Sequence, residues 1–348
     1  MAMPSATRYF GFGLVIGMTI AFLCLSLSHL AIPAAPVHAV NNVVPQDTIS
    51  QVSHELINRQ VDTKPEVHLD LGEDKHHHHD DDSVARQLKD KVRVLVWVMT
   101  SPQNLQKKAK IVQDTWGRRC NKIIFFSSET NKDFPTIGLN VSEGREHLTA
   151  KTMQGFRYVY DNHFNDADWF MKADDDTYVI VENLRYFLSE QNTSHPIYFG
   201  HHFKTIVKQG YYSGGGGYVL SREALRRLAT KGKDPRTCRQ DGGAEDAELG
   251  HCMERLGVAT ANSTDALGRS RFHCFDPETH LFGGYPDWYY SYDANGAKKG
   301  PEHISDYAIS FHYVPPQKML SLEYYIYHLQ PYGISSGRQE LNRHDRKR

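Results

Sequence analysis

Three consecutive carboxylates, Asp174, Asp175 and Asp176, directly follow Ala173 and the mostly apolar segment 169–172. Adjacent carboxylates repel one another, so a fold that keeps them partly buried needs a compensating cation. Oxygen ligands suit ions such as Mg²⁺ and Mn²⁺, which also bridge diphosphates. The alternative is an exposed acidic turn that caps a helix over residues 179–188, because Asp is a good N-cap residue. The position at the end of an apolar strand favours a metal–nucleotide site.

A second pair of carboxylates, Glu245 and Asp246, opens a segment with helical spacing of apolar residues at Leu249, Met253 and Leu256. Carboxylates in the first turn of a helix are stabilised by the helix dipole and often serve only as caps. Capping alone explains Glu245. For Asp246, the dipole predicts a carboxylate that is held ionised, which suits a general base.

A glycine-rich segment and two ring side chains are further candidates. Residues 213–217 read SGGGG but lack the lysine and the spacing of a phosphate-binding P-loop. Glycines there allow the backbone to approach a bound sugar closely, or to bend before a strand over 218–220. Trp288 lies in the aromatic segment 286–292, which serves either as a sugar platform or as core. His312 lies in the apolar run 309–314, where a histidine is usually part of the core.

Alternating strands and helices must position these residues. The run 92–99 is apolar almost throughout, which indicates a strand buried on both faces of a parallel sheet. Helices are predicted over 104–116 and 146–163, and further strands over 123–126 and 169–172. This alternation predicts an open α/β sheet with right-handed crossovers. Ligands of such sheets bind beyond the carboxyl ends of the strands, where the acidic triplet would lie.

The composition is that of a globular protein with a membrane anchor. The 348 residues are 40% hydrophobic and 23% charged, which excludes wholesale disorder, and a net charge of -1 argues against a nucleic-acid partner. An uncharged segment over residues 10–32 is long enough to span a bilayer. We therefore expect a cytoplasmic tail (1–8), a transmembrane signal anchor (9–32), a lumenal stem (33–88) and a globular domain (89–348). The alternative is a signal peptide cleaved after a small-x-small pattern at 37–39, which also leads into the secretory pathway.

Entry into the secretory pathway gives meaning to two kinds of sequence signal. Residues 75–82 read KHHHHDDD, which is either a metal-binding tract or a solvated spacer, and the absence of a preorganising surround favours the spacer. Three N-x-S/T sequons, at Asn140, Asn192 and Asn262, are candidates for N-glycosylation. We expect one or two of them to carry glycan.

Residues 169–179, WFMKADDDTYV, resemble the metal-binding region of the family-31 β1,3-glycosyltransferases. Further matching segments follow in the same order: 115–116, 119–122, 127–133, 198–200, 209–221, 245–246 and 310–313. Together, over about residues 90–333, they resemble the core 1 β1,3-galactosyltransferases of that family in their insect-like form. The resemblance implies a GT-A-type α/β fold with a Rossmann-like, mostly parallel sheet. It also implies a UDP-galactose donor, Mn²⁺ and a GalNAc-Ser/Thr glycoprotein acceptor.

Carried over residue by residue, the resemblance assigns a role to each candidate. Asp174, Asp176 and His312 would hold the metal, and Asp246 would take the proton from the acceptor 3-hydroxyl, as an inverting displacement requires. The implied donor-binding residues are Met99, Thr100, Asn104, Glu143, Gly144, Arg145, Lys151 and Asp175. The implied acceptor-binding residues are Tyr211, Gly215, Glu245 and Trp288.

The cysteines and one loop depart from the family pattern. Four cysteines beyond the anchor allow three pairings. The resemblance implies Cys238–Cys252, and Cys120–Cys274 is then expected as the remaining pair. The loop 281–301 matches poorly, so a paralogue with another acceptor is an alternative function. A second alternative is a non-catalytic chaperone relative, which lacks the acidic triplet present here. The expected location is the Golgi membrane, as a single-pass type II protein, and a homodimer is expected.

Overall fold

The computed structural model describes residues 82–329 and residue 331. The expected cytoplasmic tail, the anchor, the stem up to residue 81 and all but the last residue of the histidine tract lie outside the described residues. Within the described part, no helix combines the length and the apolar character needed to cross a membrane. A helix over Ser83–Lys91 runs across the expected boundary between stem and domain, and its Leu88 packs against the core.

The described part has a mostly parallel central sheet and two small sheets beside it. They are β1 Val94–Met99, β2 Lys122–Ser127, β3 Thr136–Gly138, β4 Trp169–Asp174, β5 Tyr178–Val179, β6 Ile197–Gly200, β7 His202–Phe203, β8 Tyr211–Tyr212, β9 Tyr218–Ser221, β10 Ala259–Thr260, β11 Phe272–His273 and β12 Ser310–Phe311. Seven of them form the central sheet in the order β10-β6-β9-β4-β1-β2-β3. Strand β9 is antiparallel to β4 and β6, and the other neighbours are parallel. The prediction of a mostly parallel α/β sheet is confirmed.

Helices connect these strands and cover the sheet. They are α1 Ser83–Lys91, α2 Lys110–Asp114, α3 Leu148–His163, α4 Val181–Leu188, α5 Arg222–Lys231, α6 Glu245–Arg255, α7 Pro277–Phe282, α8 Asp287–Tyr292 and α9 Pro316–Tyr327. The single helix predicted over 104–116 is wrong: a 3₁₀ turn at Pro102–Asn104 and a π-helical turn at Leu105–Ala109 precede α2. Pro102 occupies the first position of this entry, where its missing N–H leaves no hydrogen bond unmade. Turns of the π type concentrate at functional sites.

The core lies on both faces of the central sheet, as the apolar run predicted. Val94, Val96 and Val98 pack into one cluster, whereas Leu95 and Trp97 pack into the other. All five side chains are fully buried. Because successive side chains of a strand point to opposite faces, β1 must be covered on both sides, and this buried strand gives the cavity described below a rigid base.

A small second sheet positions the histidine of the candidate metal site. It has the order β11-β12-β5, with β12 antiparallel to β5. The register places Phe311 opposite Tyr178, so His312, which follows β12, lies beside Asp176, which precedes β5. The helix predicted to begin at residue 179 starts at Val181 instead, because residues 178–179 pair as a strand.

One of the two implied disulfides is present. Cys238 and Cys252 are bonded, which ties the segment after α5 to α6. The pair Cys120–Cys274 is wrong, since both thiols are free and buried. They lie in separate hydrophobic clusters: Cys120 packs with the cluster around β1, and Cys274 packs with the aromatic cluster around Phe203. Burial raises the pKa of the Cys120 thiol to about 12.

Replacing Cys238 and Cys252 together with Ser is expected to lower the free energy of unfolding by about 3 kcal/mol. The bond closes a loop with a sequence separation of 14, and a loop of this length restricts the unfolded chain by roughly that amount. Urea denaturation of the oxidised protein and of the variant measures the difference. Reduced wild-type protein is the control and should match the variant; equal midpoints for oxidised wild type and variant would contradict the prediction.

All three sequons are accessible. Asn140, Asn192 and Asn262 are exposed. The side-chain oxygen of Asn262 accepts hydrogen bonds from the backbone and the hydroxyl of Thr264, at 3.0 and 2.8 Å, within its own sequon. Exposure is the condition that a glycan acceptor must meet, and which of the three carries glycan stays a prediction.

Candidate active site

A cavity of about 780 Å³ opens at the carboxyl edge of the central sheet. The cavity is lined by the ends of β1 and β4, residues 213–215 of the glycine-rich segment, the start of α6 and His312. The predicted site residues that line this one cavity are Met99, Thr100, Asn104, Glu143, Gly144, Arg145, Lys151, Asp174, Asp175, Asp176, Gly215, Glu245, Asp246, Trp288 and His312. Tyr211 does not line it; its buried ring packs against Phe203 at 5.5 Å between centroids.

Asp174, Asp176 and His312 form a cluster suited to a metal ion. Each offers one ligand atom, and these atoms lie within 4.8 Å of one another. Nε2 of His312 lies 3.2 Å from a carboxylate oxygen of Asp176. Nδ1 of His312 donates to the carbonyl of Cys274 at 3.3 Å, which turns Nε2 towards the carboxylates. Two carboxylates and an imidazole suit Mn²⁺, so the residues fit the implied ion.

The alternative that the acidic triplet caps a helix is wrong. Helix α4 has Ile180 at its N-cap, and no side chain caps it. Burial acts to raise the pKa of Asp176, but the hydrogen bond and charge of His312, together with the charge of Lys108, outweigh burial and lower the pKa. The carboxylate is therefore held ionised, as a metal ligand must be.

The middle carboxylate, Asp175, fixes the turn after β1. One of its oxygens accepts hydrogen bonds from the hydroxyl of Thr100 at 2.8 Å and from the amide of Asn104 at 2.9 Å. Lys108 lies 3.3 Å from the other oxygen and 3.4 Å from Asp176. Burial raises the pKa of Asp175, and Lys108 opposes this. Sequence reasoning missed Lys108, because nothing distinguishes it from Lys107 and Lys110 beside it.

A buried lysine, Lys172 on β4, links the acidic triplet to the start of α6. Its Nζ lies 2.6 Å from Asp174, 3.0 Å from the carbonyl of Gly214 and 4.0 Å from Glu245. Burial acts to lower the pKa of Lys172, but Asp174 and Glu245 outweigh it and raise the pKa. The sequence held a signal for this residue, since a lysine inside an otherwise apolar strand needs a buried partner.

Glu245 is buried and connects the start of α6 to neighbouring elements, so it does more than cap the helix. One of its oxygens accepts hydrogen bonds from the hydroxyl of Thr152 on α3 at 2.7 Å and from that of Tyr218 on β9 at 2.6 Å. Its other oxygen faces Lys172. The start of α6 is thereby held against the sheet, which places the next residue, Asp246, in the cavity.

Asp246 is half-buried, and its pKa is raised to about 6. Burial is the main cause and the neighbouring charge of Glu245 adds to it, while the N–H groups of Ala247 and Gly214 oppose the shift. These donors lie 2.9 and 3.4 Å from the carboxylate. The helix dipole favours a lower pKa for this carboxyl group, and desolvation outweighs it. The result is a carboxylate that is ionised at neutral pH yet basic enough to accept a proton.

The glycine-rich segment approaches the metal cluster closely. A Cβ on Gly215 would lie 1.9 Å from a ring carbon of His312, so only glycine fits there. Gly217 adopts a φ of +75°, which closes the turn before β9. The predicted bend before the strand is confirmed; the group that Gly215 approaches is the imidazole of His312, and a close approach to a bound sugar stays a prediction.

Two of the implied donor-binding residues, Lys151 and Glu143, form an ion pair. Nζ of Lys151, which is buried on α3, lies 2.6 Å from Glu143. Burial acts to raise the pKa of Glu143, but hydrogen bonds from Lys151 and Ser128 outweigh it and lower the pKa. Arg145 is exposed beside this pair and leaves its guanidinium available to a bound anion.

Aromatic rings form the wall of the cavity around Trp288. The indole is 45% exposed, which excludes the interpretation that it fills the core. Its ring lies 5.9 Å from that of Phe203 and 6.1 Å from that of Phe275. Tyr313, also exposed, stacks on His312 at 3.9 Å between centroids. Sequence reasoning missed Phe203, Phe275 and Tyr313, which come together only in the folded chain.

Comparison with known proteins gives consistent matches. The Fringe-like family model matches residues 88–273. Glycoprotein-N-acetylgalactosamine 3-beta-galactosyltransferase 1 of Xenopus laevis is 47% identical over 276 residues, which cover 77% of this chain and 74% of that protein. Beta-1,3-glucosyltransferase of Mus musculus is 30% identical over 176 residues, 50% of this chain and 35% of that protein. The crystal structure of the galactosyltransferase LgtC with donor and acceptor sugar analogs aligns with 68% of this chain and 98% of that chain, with 12% identity and a TM-score of 0.39.

Proposed function

The chain belongs to the Fringe-like family of glycosyltransferases, and from that premise we propose that it is a core 1 β1,3-galactosyltransferase of GT-A-like fold. It transfers galactose from UDP-galactose, with inversion, to the 3-hydroxyl of GalNAc on Ser or Thr of glycoproteins. The main support is that one cavity brings an Asp-Asp-His metal cluster together with a carboxylate of raised pKa, Asp246. The identity of 47% to the Xenopus enzyme supports the choice of substrates.

The donor side of the cavity has to hold a nucleoside diphosphate. A bound Mn²⁺, held by Asp174, Asp176 and His312, would neutralise the negative charge of the leaving UDP. Arg145, exposed at the same cavity, supplies a planar donor for phosphate oxygens. Asp175 keeps the turn from Thr100 to Asn104 in place through two hydrogen bonds, which fixes the surface against which the nucleoside rests.

The acceptor side has to remove one proton and exclude water. Asp246 takes the proton from the 3-hydroxyl as its oxygen attacks the anomeric carbon. The bond to UDP breaks on the opposite face with its electron pair leaving on the phosphate, so the configuration inverts. Glu245 and Lys172 hold the start of α6 in place and so position Asp246. Trp288 offers an apolar face on which a sugar ring stacks.

We propose further that residues 9–32 anchor the protein in the Golgi membrane, with the described domain in the lumen. The Cys238–Cys252 disulfide supports this location, because such bonds persist in oxidising compartments. The three exposed sequons are compatible with it. A homodimer stays a prediction.

The test is turnover by the full-length protein of UDP-galactose with Mn²⁺ and a peptide carrying GalNAc-Thr. NMR of the product should show a β1,3 linkage and one UDP released per galactose transferred. Release of UDP without transfer would support the proposed donor site but not the proposed acceptor, and would favour a paralogue with a different acceptor. No metal-dependent turnover of any UDP-sugar would contradict the enzyme assignment and favour a chaperone relative.

The pH dependence of kcat/KM for the acceptor is expected to show an acidic limb near pH 6. Asp246 must be deprotonated to act as a base, so with a pKa of about 6 the rate should fall about tenfold per pH unit below that value. Initial rates between pH 5 and 8 measure the limb. UDP binding over the same range is the control, and a rate that is flat from pH 7 to pH 5 would exclude Asp246 as the base.

A further inference from the structure

We propose that His201 and Asp293 are positioning residues for acceptor recognition, which fix the orientation of Trp288 at the cavity. The inference rests on the proposed function, because it concerns the acceptor side of that site. Neither residue lines the cavity, so both act through another group.

The side chain of His201 joins three parts of the chain. It lies in the turn between β6 and β7 and is 2% exposed. Its Nδ1 donates to the carbonyl of Phe272 on β11 at 2.9 Å. Its Nε2 lies 3.2 Å from a carboxylate oxygen of Asp293 and 3.2 Å from the hydroxyl of Tyr289 on α8. One ring therefore ties the central sheet and the small sheet to the segment that includes Trp288.

Asp293 shapes the chain immediately after α8. Its second oxygen accepts the backbone N–H of Ala297 at 2.6 Å, and Ala297 has a φ of +50° that non-glycine residues rarely adopt. Backbone hydrogen bonds at 2.9 Å, from Ala294 to His202 and from Lys204 to Tyr292, lay this segment along β7. The carboxylate thus holds a strained turn in place.

The two groups form a buried ion pair. Asp293 is 2% exposed. Burial acts to lower the pKa of His201, but Cys274 and Asp293 outweigh burial and keep the pKa well above its ordinary value. Burial acts to raise the pKa of Asp293, but His201 outweighs it and lowers the pKa. Removing either partner would leave the other charge buried without compensation, so the segment around α8 that the pair contacts should be disturbed.

Helix α8 needs such an anchor. It has six residues, and a helix this short is not stable by itself. Tyr289 is almost fully buried, and its ring stacks on His201 at 5.7 Å between centroids. Trp288 precedes Tyr289, and its indole packs against Phe203 and Phe275. Phe203 lies two residues after His201, and Phe275 lies three residues after Phe272, whose carbonyl accepts the hydrogen bond from His201. The orientation of the exposed Trp288 indole therefore depends on the His201–Asp293 pair, which contacts the neighbouring Tyr289.

The four tryptophans make a readout that does not depend on activity. Trp97, Trp116 and Trp169 are at most 3% exposed, whereas Trp288 is 45% exposed. With 5-fluorotryptophan incorporated, ¹⁹F NMR reports each indole separately, and the Trp288→Phe variant assigns its resonance. A change confined to that resonance is a local effect on the acceptor wall, and a change in all four is a loss of fold.

The experiment compares Asp293→Asn and Tyr289→Phe with wild type. Tyr289→Phe keeps the buried ring and serves if Asp293→Asn does not fold. We expect the Trp288 resonance to shift or broaden while the other three stay in place. We also expect KM for the GalNAc-peptide to rise about tenfold with the Kd of UDP unchanged. Asp168→Asn is the matched control, since it breaks an ion pair with Arg93 at the opposite edge of the sheet.

Two results would overturn the inference. An unchanged Trp288 resonance in both variants would show that the pair does not set the indole, and equal disturbance of all four resonances would show a purely structural role. The NMR result stands even if the peptide proves to be the wrong acceptor, so a failure of the proposed function is distinguishable from a failure of this inference.

Discussion

Replacing Asp246 with Asn lowers kcat for galactosyl transfer by about 10²–10⁴-fold, the range that a general base contributes. Asn has nearly the same shape but cannot accept the proton of the 3-hydroxyl. Binding of UDP and of Mn²⁺ is expected to be unchanged, because the metal cluster is formed by other residues. Steady-state rates and calorimetric titration with UDP measure both quantities. A variant that retains more than a tenth of the wild-type kcat would assign the base to another group.

The same variant is expected to be more stable than wild type at pH 7. The pKa of Asp246 is raised to about 6 in the folded protein, so the folded state favours the protonated form. Its ionisation costs folding free energy as pH rises from about 4 to about 6, and Asn avoids that cost. One pKa unit corresponds to about 1.4 kcal/mol, so the gain is at most about 3 kcal/mol. A lower denaturation midpoint for Asp246→Asn would contradict this explanation of the raised pKa.

Replacing Asp176 with Ala is expected to reduce transfer by about 10³-fold and to weaken Mn²⁺ binding. Asp176 offers one of the three atoms that we propose hold the metal, and its carboxylate lies 3.2 Å from Nε2 of His312. Losing electrostatic stabilisation of a leaving group typically costs a factor of this size. Titration with Mn²⁺, followed by electron paramagnetic resonance, measures the affinity directly.

Controls separate the metal from the fold in this experiment. Asp133→Ala removes an exposed carboxylate outside the cavity and should leave rate and affinity unchanged. Removing the metal from wild type with EDTA should reproduce the loss, and added Mn²⁺ should restore activity. Wild-type Mn²⁺ affinity in Asp176→Ala would remove this carboxylate from the ligand set.

The part of the site built on the central sheet could be predicted from the sequence, because local patterns specify it. The apolar run of β1 and the acidic residues that end β4 gave both the parallel sheet and the edge where a ligand binds. His312 was different: the strands that bring it to Asp176 are two residues long, too short for any periodicity. Only the family resemblance indicated its role.

Burial and long-range partners account for the other differences. The helix dipole at Asp246 can be read from sequence position, but the burial that raises the pKa of its carboxyl group arises only when the chain folds. The implied Cys120–Cys274 bond failed because the two residues pack in different clusters. The His201–Asp293 pair joins elements that are far apart in sequence, so no spacing rule reveals it.

Because Gly215 lies so close to His312, the size of the residue at position 215 decides where the imidazole can lie. Alanine there changes no charge and removes no hydrogen-bonding group, yet its methyl must displace the imidazole, because 1.9 Å leaves no room for both. A saturation library screened for turnover should return glycine alone at this codon. The inactive members of that library are expected to remain folded, so Gly215→Ala tests the placement of His312 in a protein that keeps every functional group of the site.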